Sequence, residues 1–215
     1  MKVYHLIAVF AIFASCRDSK NSNRVTNGDS EAVVSTSANS VKSKSQDEKY
    51  VEVLNWVDDF KNFRMALYNK DAAKLKTYFA FPLNTDTTFI WTPVTTNEGE
   101  NKVPKLSDPG KLSENDFEKY YPLIFREDFV KSILKIKSEK LLKTGNASTS
   151  TFKGEKEDYL MDVNLDANGK TISLNLSYSN SAVEGAEDFG EYNIIYIFKI
   201  IDGKRLLFDK ILIAG

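Results

Sequence analysis

The last third of the chain alternates apolar and polar residues in runs that are separated by turns. Residues 159–165 and 172–178 carry an apolar side chain at every second position. Residues 166–169 between them read Asp-Ala-Asn-Gly, a turn sequence. A period of two is typical of strands with one buried face, so we expect an antiparallel hairpin here.

Two more apolar runs follow, over residues 192–201 and 206–213, and an Asp-Gly turn separates them. Together with the hairpin they predict a meander of four antiparallel strands. The run at 194–200 is apolar almost without interruption. Because such runs are typical of strands buried on both sides, we expect this strand to be central and covered on both faces.

The first half of the chain repeats its apolar residues at intervals of three and four, which predicts amphipathic helices. Ser45 and Glu48 have the spacing of a capping box and indicate a helix start. The residues expected on the apolar face are Tyr50, Val53, Leu54, Val57, Phe60 and Leu67, with Trp56, Phe63 and Met65 beside them. Asp71 is expected to cap a shorter helix over 72–79, which ends before Pro82.

The middle of the chain predicts a short strand at 89–91 and a long polar loop over 95–111. Ser113 is expected to begin a helix that Pro122 interrupts, and a further helix is expected over 127–137. The side chains expected to be buried in these two helices are Phe117, Tyr120, Tyr121, Phe129, Val130, Ile133 and Ile136.

Helices first and strands last predict one α+β domain over residues 47–215. Its N-terminal helices should pack on one face of a C-terminal antiparallel sheet of about four to five strands. The order of elements and three aromatic motifs resemble small exported proteins of the NTF2-like group. Those motifs are Phe60-Lys61-Asn62-Phe63, Phe79-Ala80-Phe81-Pro82-Leu83 and Leu112-Ser113-Glu114-Asn115-Asp116-Phe117. The resemblance implies a curved sheet that wraps a long helix into a cone.

The chain opens on a basic second residue and an apolar run over residues 3–14. This run is shorter than a transmembrane helix and has the length of an export signal. Residues 13–16, Phe-Ala-Ser-Cys, resemble the lipobox of bacterial lipoproteins, with Phe13 where that family usually has leucine. The resemblance implies that residues 1–15 are a signal peptide and that Cys16 is acylated.

An ordinary signal peptide with a chance cysteine is the alternative, although Cys16 is the only cysteine and stands where a lipobox requires it. Residues 16–46 are polar and lack an apolar period, so we interpret them as a disordered, lipidated tether. Arg17, rather than Asp, follows the cysteine, which favours the outer membrane. We therefore expect a lipid-anchored protein of the bacterial cell envelope, bound to the membrane through Cys16.

Composition excludes several familiar chemistries. A single cysteine allows no intramolecular disulfide, and a net charge of −1 gives no electrostatic reason to expect nucleic acid. His5, the only histidine, would leave with the signal peptide, so we expect no metal and no cofactor. Residues 166–169 fit a hairpin turn better than a calcium loop. The acidic residues that fit solvated loop charge better than a cation site are Glu184, Glu187, Asp188 and Glu191.

No catalytic motif has a recognisable spacing, so we assign no catalytic residue. The chain lacks both a histidine base after cleavage and a glycine-rich phosphate loop. A carboxylate site need not be close in sequence, and resemblance to NTF2-like isomerases implies an Asp base beside a Tyr in a cone-shaped pocket. The candidates for such a site are Asp86, Asp158 and Asp162, with Tyr50, Tyr78 and Tyr120.

Aromatic side chains are dense in the helical half of the chain. They are Phe60, Phe63, Tyr78, Phe79, Phe81, Phe89, Trp91, Phe117, Tyr120, Tyr121 and Phe125. They would either fill the core or line an apolar ligand pocket. Asp86-Thr87-Thr88 also resembles the O-glycosylation site of exported proteins in some Bacteroidota, although it fits the start of a strand as well.

We therefore expect a membrane-anchored, non-enzymatic binding or interaction module, whose partner is an unknown protein or a small apolar ligand. An NTF2-like isomerase or hydrolase is the alternative, and it would need a deep pocket that holds an Asp or Glu beside a Tyr. An immunity lipoprotein against an envelope-directed toxin is a narrower form of the first hypothesis.

Overall fold

Helices precede the main sheet along the chain, in a computed structural model that describes residues 52–95, 105–154, 157–180 and 190–215. The helices are α1 (Trp56–Tyr68), α2 (Ala72–Lys76), α3 (Thr92–Thr95), α4 (Glu114–Ile124), α5 (Glu127–Lys135) and α6 (Ser138–Thr144). The strands are β1 (Leu83–Asn84), β2 (Lys111–Leu112), β3 (Asn146–Ser148), β4 (Glu157–Leu165), β5 (Thr171–Asn180), β6 (Tyr192–Ile201) and β7 (Arg205–Ala214). The expected α+β class is confirmed.

The main sheet is a meander of five antiparallel strands in the order β3-β4-β5-β6-β7. Strands β4 to β7 are the four that the apolar pattern predicts, and residues 166–169 form the expected turn. Strand β3 was not predicted, and β1 and β2 form a separate two-stranded ladder. Helix α1 contacts β7 and α5 contacts β4. An open sheet with a few helices against it is consistent with a cone-like fold.

Strand β6 is an interior strand of the sheet, as expected, and lies between β5 and β7. It is not covered on both faces, so that part of the expectation was wrong. Tyr196 and Phe198 are buried in the core, but Ile195 and Ile197 on the opposite face are only half-buried. Apolar side chains on that outer face made the run look doubly buried.

Helix α1 begins at Trp56, later than the predicted capping box. The Asn55 side chain is its cap and accepts hydrogen bonds from two first-turn N–H groups at 3.0 and 3.1 Å. Leu54, expected on the apolar face, precedes the helix and is 87% exposed. Ser45 and Glu48 lie outside the described residues.

The predicted caps of the next helices are confirmed. Asp71 accepts a hydrogen bond from the Lys74 N–H at 3.0 Å, and α2 ends at Lys76, earlier than expected. Ser113 accepts a hydrogen bond from the Asp116 N–H at 3.1 Å and begins α4.

Pro122 lies inside α4 and does not interrupt it, contrary to the prediction. It occupies the last turn, and the following Phe125 N–H still donates to the Tyr121 carbonyl at 2.9 Å. A proline near a helix end removes one backbone hydrogen bond without unwinding the preceding turns. The helix predicted over 127–137 ends at Lys135, and α6 was not predicted.

Residues 89–91 form a turn before α3, so the short strand predicted here was wrong. Ile90 is fully buried, whereas Phe89 is 56% exposed. The Phe89 N–H donates to the Ile211 carbonyl at 3.0 Å and so lies against the edge of β7. Tertiary packing, rather than pairing in the sheet, accounts for this apolar triplet.

The outer edge of β7 is covered by segments from the first half of the chain. Three N–H groups of β7 donate hydrogen bonds to these segments. The Leu206 N–H donates to Asp59 Oδ2 at 2.7 Å, and the Phe208 N–H donates to the Tyr78 carbonyl at 2.8 Å. The Ile211 N–H donates to Thr88 Oγ1 at 2.8 Å. Such bonds occupy backbone groups that an edge strand otherwise presents to other chains.

Across the described ranges, each helix is too short or too polar to cross a bilayer.

Candidate functional site

Aromatic rings fill the space between the helices and the sheet. Phe63 lies at the centre, with its ring 5.0 Å from Tyr78, 5.6 Å from Phe125 and 5.0 Å from Phe198, measured between centroids. Other buried rings that join this cluster are Phe60, Phe79, Phe117, Tyr120, Phe129, Tyr196 and Phe208. Of the aromatic residues noted in the sequence, Phe60, Phe63, Tyr78, Phe79, Phe117, Tyr120 and Phe125 are buried in the core, whereas Phe89 is exposed and does not fill it.

The three candidate carboxylates lie in different settings. Asp86 is exposed in the turn after β1. Asp158 is buried beside the Lys153 ammonium, whose hydrogen bond holds the pKa of the carboxyl below its usual value. Asp162 accepts a hydrogen bond from the Ser148 hydroxyl. Among the described residues, none of the three carboxylates forms a hydrogen bond with a candidate tyrosine.

The candidate tyrosines bind other groups. The Tyr78 hydroxyl donates to the Asp59 carboxylate at 3.1 Å, and both side chains are buried. The Tyr120 hydroxyl accepts a hydrogen bond from the Lys105 N–H at 3.0 Å. Tyr50 lies outside the described residues. The hydrogen bonds of Tyr78 and Tyr120 therefore join segments that are distant in the sequence.

Two tyrosine–carboxylate pairs that the sequence did not predict lie at one end of the sheet. The Tyr178 hydroxyl donates to Asp128 at 2.6 Å, and the Tyr192 hydroxyl donates to Glu157 at 3.1 Å. The two rings stack with their centroids 4.6 Å apart, and Arg126 forms an ion pair with Asp128 at 2.9 Å. Burial, followed by the charge of Glu157, raises the pKa of Tyr192 to about 12. Burial, followed by the Asp128 charge, also raises the pKa of Tyr178, so both phenols are held as hydrogen-bond donors.

These raised pKa values predict a loss of stability in alkali. The folded chain keeps the phenolic protons to higher pH than the unfolded chain, so this contribution is complete below about pH 10 and is lost as the pH rises through about 12. Thermal unfolding midpoints measured over this range should fall, and less steeply in Tyr178→Phe. Tyr68→Phe, at an exposed ring, is the matched control and should keep the wild-type slope. Equal slopes in all three proteins would contradict the assignment.

The other sequence motifs have simple structural settings. The Asp166 carboxylate accepts hydrogen bonds from the N–H groups of Lys170 at 2.6 Å and Thr171 at 3.0 Å, as in a hairpin turn. Thr87 is exposed, whereas Thr88 is buried against β7. In the acidic loop, Glu191 is exposed, and residues 184–188 lie outside the described ranges. Within those ranges no group of three or more His, Cys, Asp or Glu side chains could hold a metal ion.

An apolar groove lies where the end of α1 meets α4 and α5. It has a volume of about 380 Å³ and is lined by Leu67, Tyr68, Lys70, Tyr121, Pro122, Phe125, Glu127 and Val130. The small apolar ligand expected from the sequence stays a prediction, and this groove is a site where such a ligand would fit.

A second groove runs along the free edge of the main sheet and is the candidate functional site. One wall is the chain from Ala147 to Phe152, which forms part of β3 and the segment after it. The groove is also lined by Lys135 at the end of α5, Lys137 just before α6 and Lys140 within α6. The volume of this lysine groove is about 490 Å³.

The three lysines give the groove an uncompensated positive charge. All three are exposed, and no carboxylate of the described residues lies within 4.0 Å of their ammonium groups. By contrast, the neighbouring Lys131 is paired with Glu127 at 2.8 Å. A cluster of unpaired ammonium groups beside backbone and hydroxyl groups is suited to binding an anionic partner.

Sequence reasoning did not find this site, although the lysines are visible in the sequence. The groove that they line is formed together with β3, and the residues of β3, Asn-Ala-Ser, carry no apolar alternation by which the strand could be predicted. The lysine spacing between 135 and 140 was the only available signal, and by itself it is typical of any solvated helix surface.

Comparison of the chain with protein-family models, curated proteins and solved structures found no match. The arrangement of side chains in the chain itself is therefore the basis for a functional proposal.

Proposed function

We propose that this chain is a non-enzymatic binding module, held at the bacterial cell envelope by lipid on Cys16, and that its partner docks in the lysine groove. The observation that carries the proposal is the set of three ammonium groups without carboxylate partners along that groove. Single exposed lysines are commonly unpaired, but three of them around one concave surface create a local positive potential that favours recognition of an anion.

The interior packing supports binding rather than catalysis in a cone-shaped pocket. An enzyme of the NTF2-like type would need open space around a carboxylate and a phenol. Here Tyr78 and Asp59 are hydrogen-bonded to each other in the core, with Phe63 against the same ring. Tyr178 likewise donates to Asp128. These groups are engaged in holding the fold.

The position of the partner can be tested in the envelope with the full chain. A photo-crosslinking amino acid placed at Lys137 should form a specific adduct with a partner protein, and the same group at exposed Lys204 should not. Reversal of charge at Lys135 and Lys140 should abolish the adduct. Adducts of equal yield at both positions, or turnover of a substrate by the purified chain without any adduct, would overturn the proposal.

The anchoring part of the proposal rests on the leader and has its own prediction. Replacing Cys16 by alanine should abolish incorporation of labelled palmitate and release the protein from membranes, because that thiol is the only one in the chain. Ser15→Ala, which keeps a small residue before the cysteine, should retain both properties. Labelled palmitate that is still incorporated by the Cys16 variant would refute acylation at this residue.

A further inference from the structure

We infer that the ligand of the lysine groove is an extended acidic peptide segment that adds a strand to the edge of β3. The inference rests on the proposed binding function and specifies the chemistry of its partner. Peptides that bind in this way obtain affinity from main-chain hydrogen bonds and selectivity from alternate side chains.

Ser148 of β3 has backbone hydrogen-bonding groups that β4 does not use. The Leu165 N–H donates to the Gly145 carbonyl at 2.7 Å, and the Thr149 N–H donates to the Met161 carbonyl at 2.9 Å. Because an antiparallel ladder alternates along the strand, Ser148, which precedes Thr149, directs its N–H and C=O away from β4. The residue lies in the wall of the groove.

The segment after β3 extends this free edge. Among the described residues, no backbone hydrogen bond involves Ser150 or Thr151, and pairing with β4 resumes only at Phe152 opposite Tyr159. Both residues line the groove. An incoming strand would therefore meet unpaired backbone groups on either side of Thr149.

The two edges of the sheet differ in this respect. Leu206, Phe208 and Ile211 of β7 all donate their N–H groups to acceptors from the first half of the chain. On β3 only the first residue is covered, because the Thr144 hydroxyl at the end of α6 donates to the Asn146 carbonyl at 2.8 Å, and no described group covers the backbone of Ser148 in this way. An open edge beside a groove is the arrangement that favours strand addition.

The positive charge of the groove favours an incoming strand with acidic side chains. Lys135, Lys137 and Lys140 line the same groove as the open edge. Asp162, the nearby carboxylate bonded to Ser148, alternates with the buried residues Met161 and Val163 and so points to the other face of the sheet. A strand with acidic residues at alternate positions can therefore bring its carboxylates to the lysines while its backbone pairs with β3.

A membrane surface could bind the lysines of the groove but could not pair with the backbone of β3. Anionic lipid headgroups can neutralise lysines, but they do not present the regularly spaced N–H and C=O groups of a strand that would pair with the Ser148 backbone. A peptide offers both, which is why we assign the groove to a peptide.

The test measures binding of a fluorescent peptide of alternating threonine and glutamate to the full chain in detergent. A second peptide of the same sequence carries methyl groups on the backbone nitrogens of one edge, so that it keeps its charge but cannot form the ladder. We expect the methylated peptide to bind at least about tenfold more weakly. Equal binding of the two peptides would overturn strand addition.

Two substitutions at one position separate the backbone from the side chain. Ser148→Pro removes the outward N–H at a position where an edge strand tolerates proline, and it should weaken binding at least about tenfold. Ser148→Ala removes only the hydroxyl and should change the affinity less than about twofold. A loss of affinity in the alanine variant equal to that in the proline variant would contradict pairing with the backbone. Unfolding midpoints of both variants identify any loss that reflects misfolding.

Charge reversal completes the test. The triple variant Lys135→Glu, Lys137→Glu, Lys140→Glu should abolish peptide binding, whereas reversal of the exposed Lys105, Lys170 and Lys204 should not. Binding of the wild-type chain to phosphatidylglycerol vesicles, but not to the acidic peptide, would overturn the peptide assignment in favour of a membrane. If crosslinks from Lys137 persist while peptide binding fails, the proposed function stands and only strand addition is wrong.

Discussion

Replacing Phe63 by alanine should lower the free energy of unfolding by about 4 kcal/mol, the largest loss we expect from a single apolar side chain here. The ring is fully buried and contacts three other rings edge-on. They are Tyr78 after α2, Phe125 at the end of α4 and Phe198 in β6. Its removal leaves a cavity that rigid aromatic neighbours cannot close, and it also removes the edge-to-face contacts. Urea denaturation followed by circular dichroism measures the change.

Phe89→Ala is the matched control for this experiment. The Phe89 ring is 56% exposed, so the same substitution should cost less than about 1 kcal/mol. Phe63→Leu retains most of the volume and should cost about 1.5 kcal/mol, which keeps the variant folded for measurement. Similar losses in the two alanine variants would mean that the interior is loosely packed and has room for a cone-shaped pocket.

Replacing Asp59 by alanine should cost about 3 kcal/mol, because the carboxylate joins α1 to β7 within the core. It accepts hydrogen bonds from the Leu206 N–H at 2.7 Å and the Tyr78 hydroxyl at 3.1 Å, and the residue is fully buried. The alanine variant leaves the Leu206 N–H without this acceptor, away from water. Thermal unfolding and hydrogen exchange at Leu206 would measure the global and local effects.

Its neighbour Asp58 provides the control. The Asp58 side chain is 42% exposed and forms an ion pair with Lys61 on the helix surface. Asp58→Ala should therefore cost less than about 1 kcal/mol. Asp59→Asn keeps an oxygen acceptor and should lie between the two alanine variants. An Asp59→Ala protein as stable as Asp58→Ala would show that the buried carboxylate contributes nothing net to the fold.

Local patterns predicted those elements whose packing follows the simplest rule. In β5 and in residues 161–164 of β4, buried and less buried residues alternate, because one face meets the helices. The caps Asp71 and Ser113 were also predictable, since each acts on N–H groups within three positions along the chain.

The errors come from contacts that the chain makes over long distances. Ile90 is apolar because it packs into the core from a turn, and Ile195 is apolar on the outer face of the sheet. Both residues fit the local apolar pattern of a buried strand, so the sequence near them does not reveal their actual positions. The short β3 has no apolar alternation and exists because β4 offers it a partner. The lysine groove depends on that strand, and so it could not be located from the sequence.

The cover of the β7 edge has a consequence for the order in which the protein is completed. Asp59 and Leu206 are 147 positions apart, and Thr88 and Ile211 are 123 apart, so these contacts close only when the last strand is available. During synthesis, which starts at the amino terminus, the helical half emerges with its acceptors unpaired, and β6 emerges before the strand that pairs with its free edge. The interval before β7 arrives is therefore the stage at which the nascent chain most needs protection by a chaperone.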